Sequence, residues 1–125
     1  ALVGWEREMQ NKPAGLRTHM LVSLGSAILV LIPIVLEIPQ NDTNAFTRVL
    51  QGIISGVGFL GAGEIISDPQ PRSQGYRVRG LTTAAATWIA AALGIAAGCG
   101  LVFLGLLGVL LAWLVLRAFK KLEED

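Results

Sequence analysis

Apolar residues fill this chain in long blocks separated by short polar segments. Residues 81–116 contain no Asp, Glu, Lys, Arg or His, and Cys99 is the only ionisable side chain among them. A helix crosses the hydrocarbon core of a bilayer with roughly 20 apolar residues, so this block is too long for one crossing and fits two. The bend is expected at Gly98-Cys99-Gly100, where two glycines relax the backbone. Upstream, residues 18–38 are predominantly apolar, with Glu37 at the far end and Pro33 interrupting, and residues 46–67 are the most glycine-rich of the spans. The pattern predicts an all-α, polytopic transmembrane helical bundle. Its four spans lie near 18–38, 46–67, 81–97 and 101–116, in a single domain over 1–125. The last two arms measure about 25 Å each at 1.5 Å per residue. That is slightly short for a bilayer core, so local thinning or a partly re-entrant arrangement is expected there. Ala1-Leu2-Val3-Gly4-Trp5 reads as the remnant of an upstream hydrophobic helix, because a signal peptide would open on a basic segment.

Composition fits this picture. The chain has 125 residues, 53% of them hydrophobic, and 15 glycines. A glycine inside a helix costs about 1 kcal/mol relative to alanine, but in lipid small residues let helix backbones approach closely. The single cysteine excludes an intramolecular disulfide and a cysteine metal cluster.

The net charge of +1 conceals a strong segregation. Arg7, Lys12 and Arg17 precede the first span, Arg72, Arg77 and Arg79 separate the second from the third, and Arg117, Lys120 and Lys121 follow the fourth. Nine of the ten basic residues thus fall on one side, which the positive-inside rule makes cytoplasmic, together with the C-terminus. Only Arg48 lies elsewhere, near the outer end of the second span. The basic loops have this membrane explanation, and no nucleic-acid partner is expected.

Gly56-Val57-Gly58-Phe59-Leu60-Gly61 matches G-x-G-x-x-G, but a dinucleotide site needs a strand before it and an acidic residue about 20 positions on. Inside an apolar helix the glycines read as packing residues. Gly52, Gly56 and Gly63 share one helical face, with Gly58 and Gly61 nearby. Thr87, Gly94 and Gly98 do so on the third span, and Gly105, Gly108 and Ala112 on the fourth. Such faces suit tight helix packing or self-association.

The polar candidates fall in two groups. Within the second span, Arg48, Gln51 and Ser55 form a stripe at i, i+3/i+4 spacing, and Glu64 points to another face, towards Arg77 or Arg79. They read either as a functional polar path or as interfacial anchors with structural pairing. The second group flanks the spans on the basic side. Glu6, Arg7, Glu8, Arg17, Thr18 and His19 read mainly as a solvated surface, with Thr18 capping the first span. Glu6, Glu8 and His19 offer donors to a hard divalent cation such as Mg²⁺, at a spacing that is not diagnostic. Arg77 and Arg79, beside the helix start at Thr82 and Thr83, suit either a phosphate or lipid headgroup or topology setting alone. Trp5 and Trp113 suit interfacial anchoring. No nucleophile–base pair or metalloprotease spacing is present, so an enzyme is not expected.

Several segments together resemble the MgtC/SapB family of bacterial inner-membrane proteins. They are Pro-Ala-Gly-Leu-Arg-Thr-His at 13–19, Gly-Val-Gly-Phe-Leu-Gly-Ala-Gly at 56–63 and Arg-Gly-Leu-Thr-Thr-Ala-Ala at 79–85. Gly4-Trp5-Glu6-Arg7-Glu8 is similar to that family's Gly-Leu-Glu-Arg-Glu stretch, and residues 92–98 also fit. The resemblance implies a membrane domain of about five helices, the first mostly missing here, and a link to Mg²⁺ homeostasis and to pathogen survival in low Mg²⁺ or inside host cells. It does not extend to proven Mg²⁺ transport, and some members act on other membrane proteins, notably the ATP synthase. This chain departs from the family at Trp5, where leucine is usual, and at Glu64, where an aliphatic residue is expected. From its end at Lys120-Lys121-Leu122-Glu123-Glu124-Asp125, the soluble C-terminal domain of some members is not expected.

These readings converge on a non-enzymatic integral membrane protein connected with Mg²⁺ homeostasis. It is expected to regulate other membrane proteins through helix contacts, with a membrane-protein partner or a homo-oligomer. Glu6, Arg7, Arg17, Arg77 and Arg79 would supply polar contacts. The alternative is a small ion-permeating oligomer with Arg48, Gln51, Ser55 and Glu64 along its path. Mg²⁺ is the one ion the resemblance suggests.

Overall fold

A computed structural model describes residues 1–37, 43–66 and 80–123, and all regular structure among them is helical. The helices are α1 (Leu2–Met9), α2 (Leu16–Val35), α3 (Thr43–Ile66), α4 (Leu81–Gly98) and α5 (Val102–Glu123). α2, α3 over Asn44–Ile65 and α4 are long and apolar enough to cross a membrane, and Val102–Ala118 of α5 is a shorter apolar stretch.

Local chemistry sets the helix ends. α2 starts at Leu16, whose N–H donates to the Glu8 carboxylate at 2.9 Å. That carboxylate satisfies one of the open amides of a helix start, so Glu8 performs the capping role expected of Thr18, which lies exposed inside the helix. Pro33 has no N–H to continue the ladder, and α2 ends two residues later, with Glu37 in the left-handed region at φ 49°. α4 begins after Gly80 at φ 90°, and no side chain caps it; Thr82 is exposed and Thr83 points into the bundle. A Cβ on Gly80 would stand 2.8 Å from the Glu64 carbonyl oxygen, so the chain enters α4 directly against the end of α3. The turn between α4 and α5 falls at Cys99 and Gly100, the latter at φ 72°.

α4 touches all four other helices. Ser23 and Ala27 of α2 lie beside Gly94 and Gly98, so α2 and α4 run parallel. Gly80 abuts Glu64 and Ile65 while Ala84 faces Gly61, so α3 runs antiparallel to α4, and α5 folds back through the turn at Cys99 and Gly100 to bring Gly108 to Leu93. The apolar core is small: Val30, Ile53, Val57 and Ala91, with Phe46, Leu50 and Ile95 packed around it. Most large apolar side chains face outward, including Phe59 at 80% and Phe103 at 81% exposure. Apolar surface on this scale requires a partner phase, and here it covers helices of membrane-spanning length.

Candidate functional site: a buried charge cluster and an open helix face

At the end of the bundle where α4 begins, Thr83 and Thr87 lie one turn apart on the same face of α4 as Gly94, and both are buried. Arg7 of α1, 4% exposed, donates from Nη2 to Thr83 Oγ1. The Thr87 hydroxyl lies 2.8 Å from Glu64 Oε1, 3.1 Å from Oε2 and 3.1 Å from the Thr83 carbonyl oxygen. A hydroxyl has one proton, so it donates either across to the Glu64 carboxylate or back along its own helix. Two adjacent threonines of α4 therefore hold a cation from α1 and an anion from α3.

Glu6 acts on Arg7 electrostatically, and His19 is buried beside α1, against Gly4. Glu6 is buried and accepts from Gln10 Nε2 through Oε1, while its Oε2 and Arg7 Nε have no partner among the described residues. Burial lowers the pKa of Arg7, and the charges of Glu6 and Glu64 oppose that shift by favouring the cation. His19, 2% exposed, places Nδ1 2.8 Å from the Gly15 carbonyl. A carbonyl only accepts, which assigns the proton to Nδ1; Nε2 has no partner among the described residues. α1 can come this close because Gly4 lacks a side chain: a Cβ there would stand 2.9 Å from both His19 Cβ and Leu16 Cα.

The sequence reading placed Glu6, Arg7 and His19 on a solvated surface, and the structure buries all three. Arg17 and Thr18 are exposed, while Arg77 and Arg79, the partners expected for Glu64, lie outside the described residues. Among the described residues, Arg7 and Thr87 face Glu64. Glu6, Glu8 and His19 do not form a metal site, because Glu8 is engaged at the start of α2 and no group of three or more ligands converges among the described residues. Spacing had placed Thr87 on a packing face but gave no sign of its bond to Glu64. The detectable signal was a Thr-x-x-x-Thr pair on the helix face that also carries the packing glycines.

On α3 the stripe Arg48, Gln51 and Ser55 is exposed, and it lies across the helix from Glu64. Among the described residues, a Cβ on Gly52, Gly56 or Gly58 would meet no atom of another helix within 4 Å, whereas Gly61 faces Ala84 at 3.3 Å. Gly94 and Gly98 press on the α2 backbone, Gly108 meets Leu93 Cδ2 at 2.9 Å, and Gly105 is open. Near the end of α5, Arg117 lies over the Trp113 ring, 5.3 Å from its centroid.

Membrane-spanning helices joined through buried charges, with one polar face left outside the bundle, define an integral membrane protein. The chain belongs to the MgtC family, whose model matches residues 1–125. It is 47% identical to Protein SrpB of Synechococcus elongatus, over 99% of this chain and 70% of that protein. It is 38% identical to the "Putative magnesium transporter YhiD" of Escherichia coli K12, over 96% of this chain and 55% of YhiD. To Protein MgtC of Brucella abortus it is 43% identical, over 81% of this chain and 38% of that protein. The chain thus spans about half or less of the latter two relatives. None of the three is named as an enzyme, and no solved structure matches the chain.

Proposed function

We propose that this chain is the membrane domain of a protein of Mg²⁺ homeostasis that acts by packing its helices against other transmembrane helices. The connection with Mg²⁺ rests on the family and on the name of the YhiD relative. The observation that carries the mode of action is the exposed face of α3. Gln51 lies about 12 Å and Ser55 about 18 Å along a helix of 24 residues, so both are deep in a bilayer. A primary amide left unpaired in hydrocarbon costs about 4–8 kcal/mol. Polar groups and open glycines at that depth are the signature of a helix–helix interface, where small residues admit a second backbone and side-chain amides hydrogen-bond across it. A conducting path along α3 has less support, because Glu64 is tied to Thr87 on the side away from the Arg48 stripe.

The distribution of Lys and Arg supports the bacterial inner membrane with the charge cluster and the C-terminus on the cytoplasmic side. The test is full-length protein in liposomes with a trapped Mg²⁺ indicator, alongside purification from native membranes. No flux, together with a copurifying membrane complex that Gly56→Leu disrupts, is the expected result. Flux abolished by Glu64→Gln would overturn the proposal in favour of transport.

A further inference from the structure

We infer that the open face of α3 is where two copies of this chain meet, α3 against α3, about a two-fold axis normal to the membrane. This rests on the helix-packing reading above and names the docked helix. A two-fold interface requires a patch that complements itself, and the centre of this face does so. Gln51 carries both amide donors and a carbonyl acceptor, so two such side chains across an axis satisfy each other, and Ser55 offers a hydroxyl that donates and accepts. Gly52 and Gly56, four residues apart, leave the backbone bare, which lets an identical helix approach closely.

Arg48 is the one group on the face that cannot pair with its own symmetry mate. It lies about a turn and a half from the start of α3, at the end of the bundle where α2 finishes. That end also presents Glu37, exposed just beyond α2. In a two-fold pair the Arg48 guanidinium of one copy meets Glu37 of the partner subunit, and the same contact recurs on the other side of the axis. The interface is then neutral at its rim and hydrogen-bonded at its centre, a combination that lipid cannot supply.

The experiment is cross-linking of the full-length protein in its own membrane, with Cys99→Ser as background. Ser55→Cys oxidised with the membrane-permeant catalyst copper phenanthroline is expected to give a disulfide-linked band of twice the monomer mass, and Phe103→Cys on α5, also an exposed position, is expected to remain monomeric. Arg48→Glu should lower the Ser55→Cys dimer at least fivefold, and adding Glu37→Arg should restore it. A Ser55→Cys product joined to a different protein would overturn this inference while leaving the helix-packing reading standing. Absence of any cross-linked product would overturn both. A dimer band indifferent to Arg48→Glu, or one that Glu37→Arg fails to restore, would overturn the assignment of Arg48 to Glu37.

Discussion

α3 and α4 carry small-residue faces of similar composition, and the bundle uses them in opposite ways. On α4 the face is closed. Gly94 and Gly98 are pressed against the backbone of Ser23 and Ala27, with Ser23 Cα 2.9 Å from where a Gly94 Cβ would stand. The same face continues through buried Thr87 and Thr83 to the bonds with Glu64 and Arg7. On α3, Gly52 and Gly56 line up at the same periodicity, and among the described residues no other helix comes within 4 Å of a Cβ there. Glycine spacing thus marks a helix prepared for close approach. It does not say whether the approaching helix belongs to the same chain.

The largest effect that separates the two faces is expected at the charged end of α4. Arg7→Leu leaves Glu6, Glu64 and Thr83 without their cation and hydrogen-bond donor. Leaving the Thr83 hydroxyl without its charged donor and the buried Glu6 carboxylate without its neighbouring cation costs about 3 kcal/mol or more, to be read as a loss of unfolding free energy in detergent titrated with SDS. An unchanged midpoint would show that α4 is held by its glycines alone. Gly94→Leu breaks the other half of the face. Its Cβ falls on the Ser23 carbonyl, and Ser23 lies on rigid helix backbone. Overpacking of this kind costs about 3 kcal/mol, measured by the same titration.

Three helices of membrane-crossing length were legible in the sequence because lipid-facing positions announce themselves, while the fourth expected span falls in α5, whose apolar stretch Val102–Ala118 is shorter. The bend at Gly98-Cys99-Gly100 was legible for a local reason, since Gly100 takes a positive φ that glycine adopts without strain. The charge cluster was not legible. Glu6 and Arg7 lie in a short, highly charged segment, a pattern that usually marks a solvated surface. Their burial depends on Gly4 letting α1 settle on α2 and on two threonines far along the chain. Glu8 was hidden similarly, as its carboxylate reaches forward eight residues to the start of α2 instead of serving its own helix. The fates of the two glycine faces were also out of reach, because local spacing is the same whether or not a neighbour arrives.

A smaller effect probes the link between the faces, since Glu64 is where α3 is fastened to α4. Thr87→Val preserves shape and removes the hydroxyl that serves the Glu64 carboxylate. A buried group left short of a partner costs about 1–3 kcal/mol, and Thr87→Ser, which keeps the hydroxyl, should recover most of it. If Val and Ser behave alike, packing and not hydrogen bonding sets the orientation of α3.

The smallest expected change in stability is the sharpest test of the comparison. Gly56→Leu introduces a side chain as large as that of Gly94→Leu, on a helix of the same bundle and at equivalent glycine spacing. Among the described residues no other helix lies within 4 Å of its Cβ, and leucine is intrinsically better than glycine inside a helix by about 0.8 kcal/mol. The unfolding free energy of the isolated chain should therefore stay level or rise by up to about 1 kcal/mol, where Gly94→Leu loses about 3. In the membrane the signs part differently, because the added side chain fills the space a second helix needs and abolishes the cross-linked dimer. A protein that unfolds no more easily yet no longer associates is the outcome that assigns the α3 face to a partner. Equal destabilisation by the two leucines would mean that both faces serve the fold of a single copy.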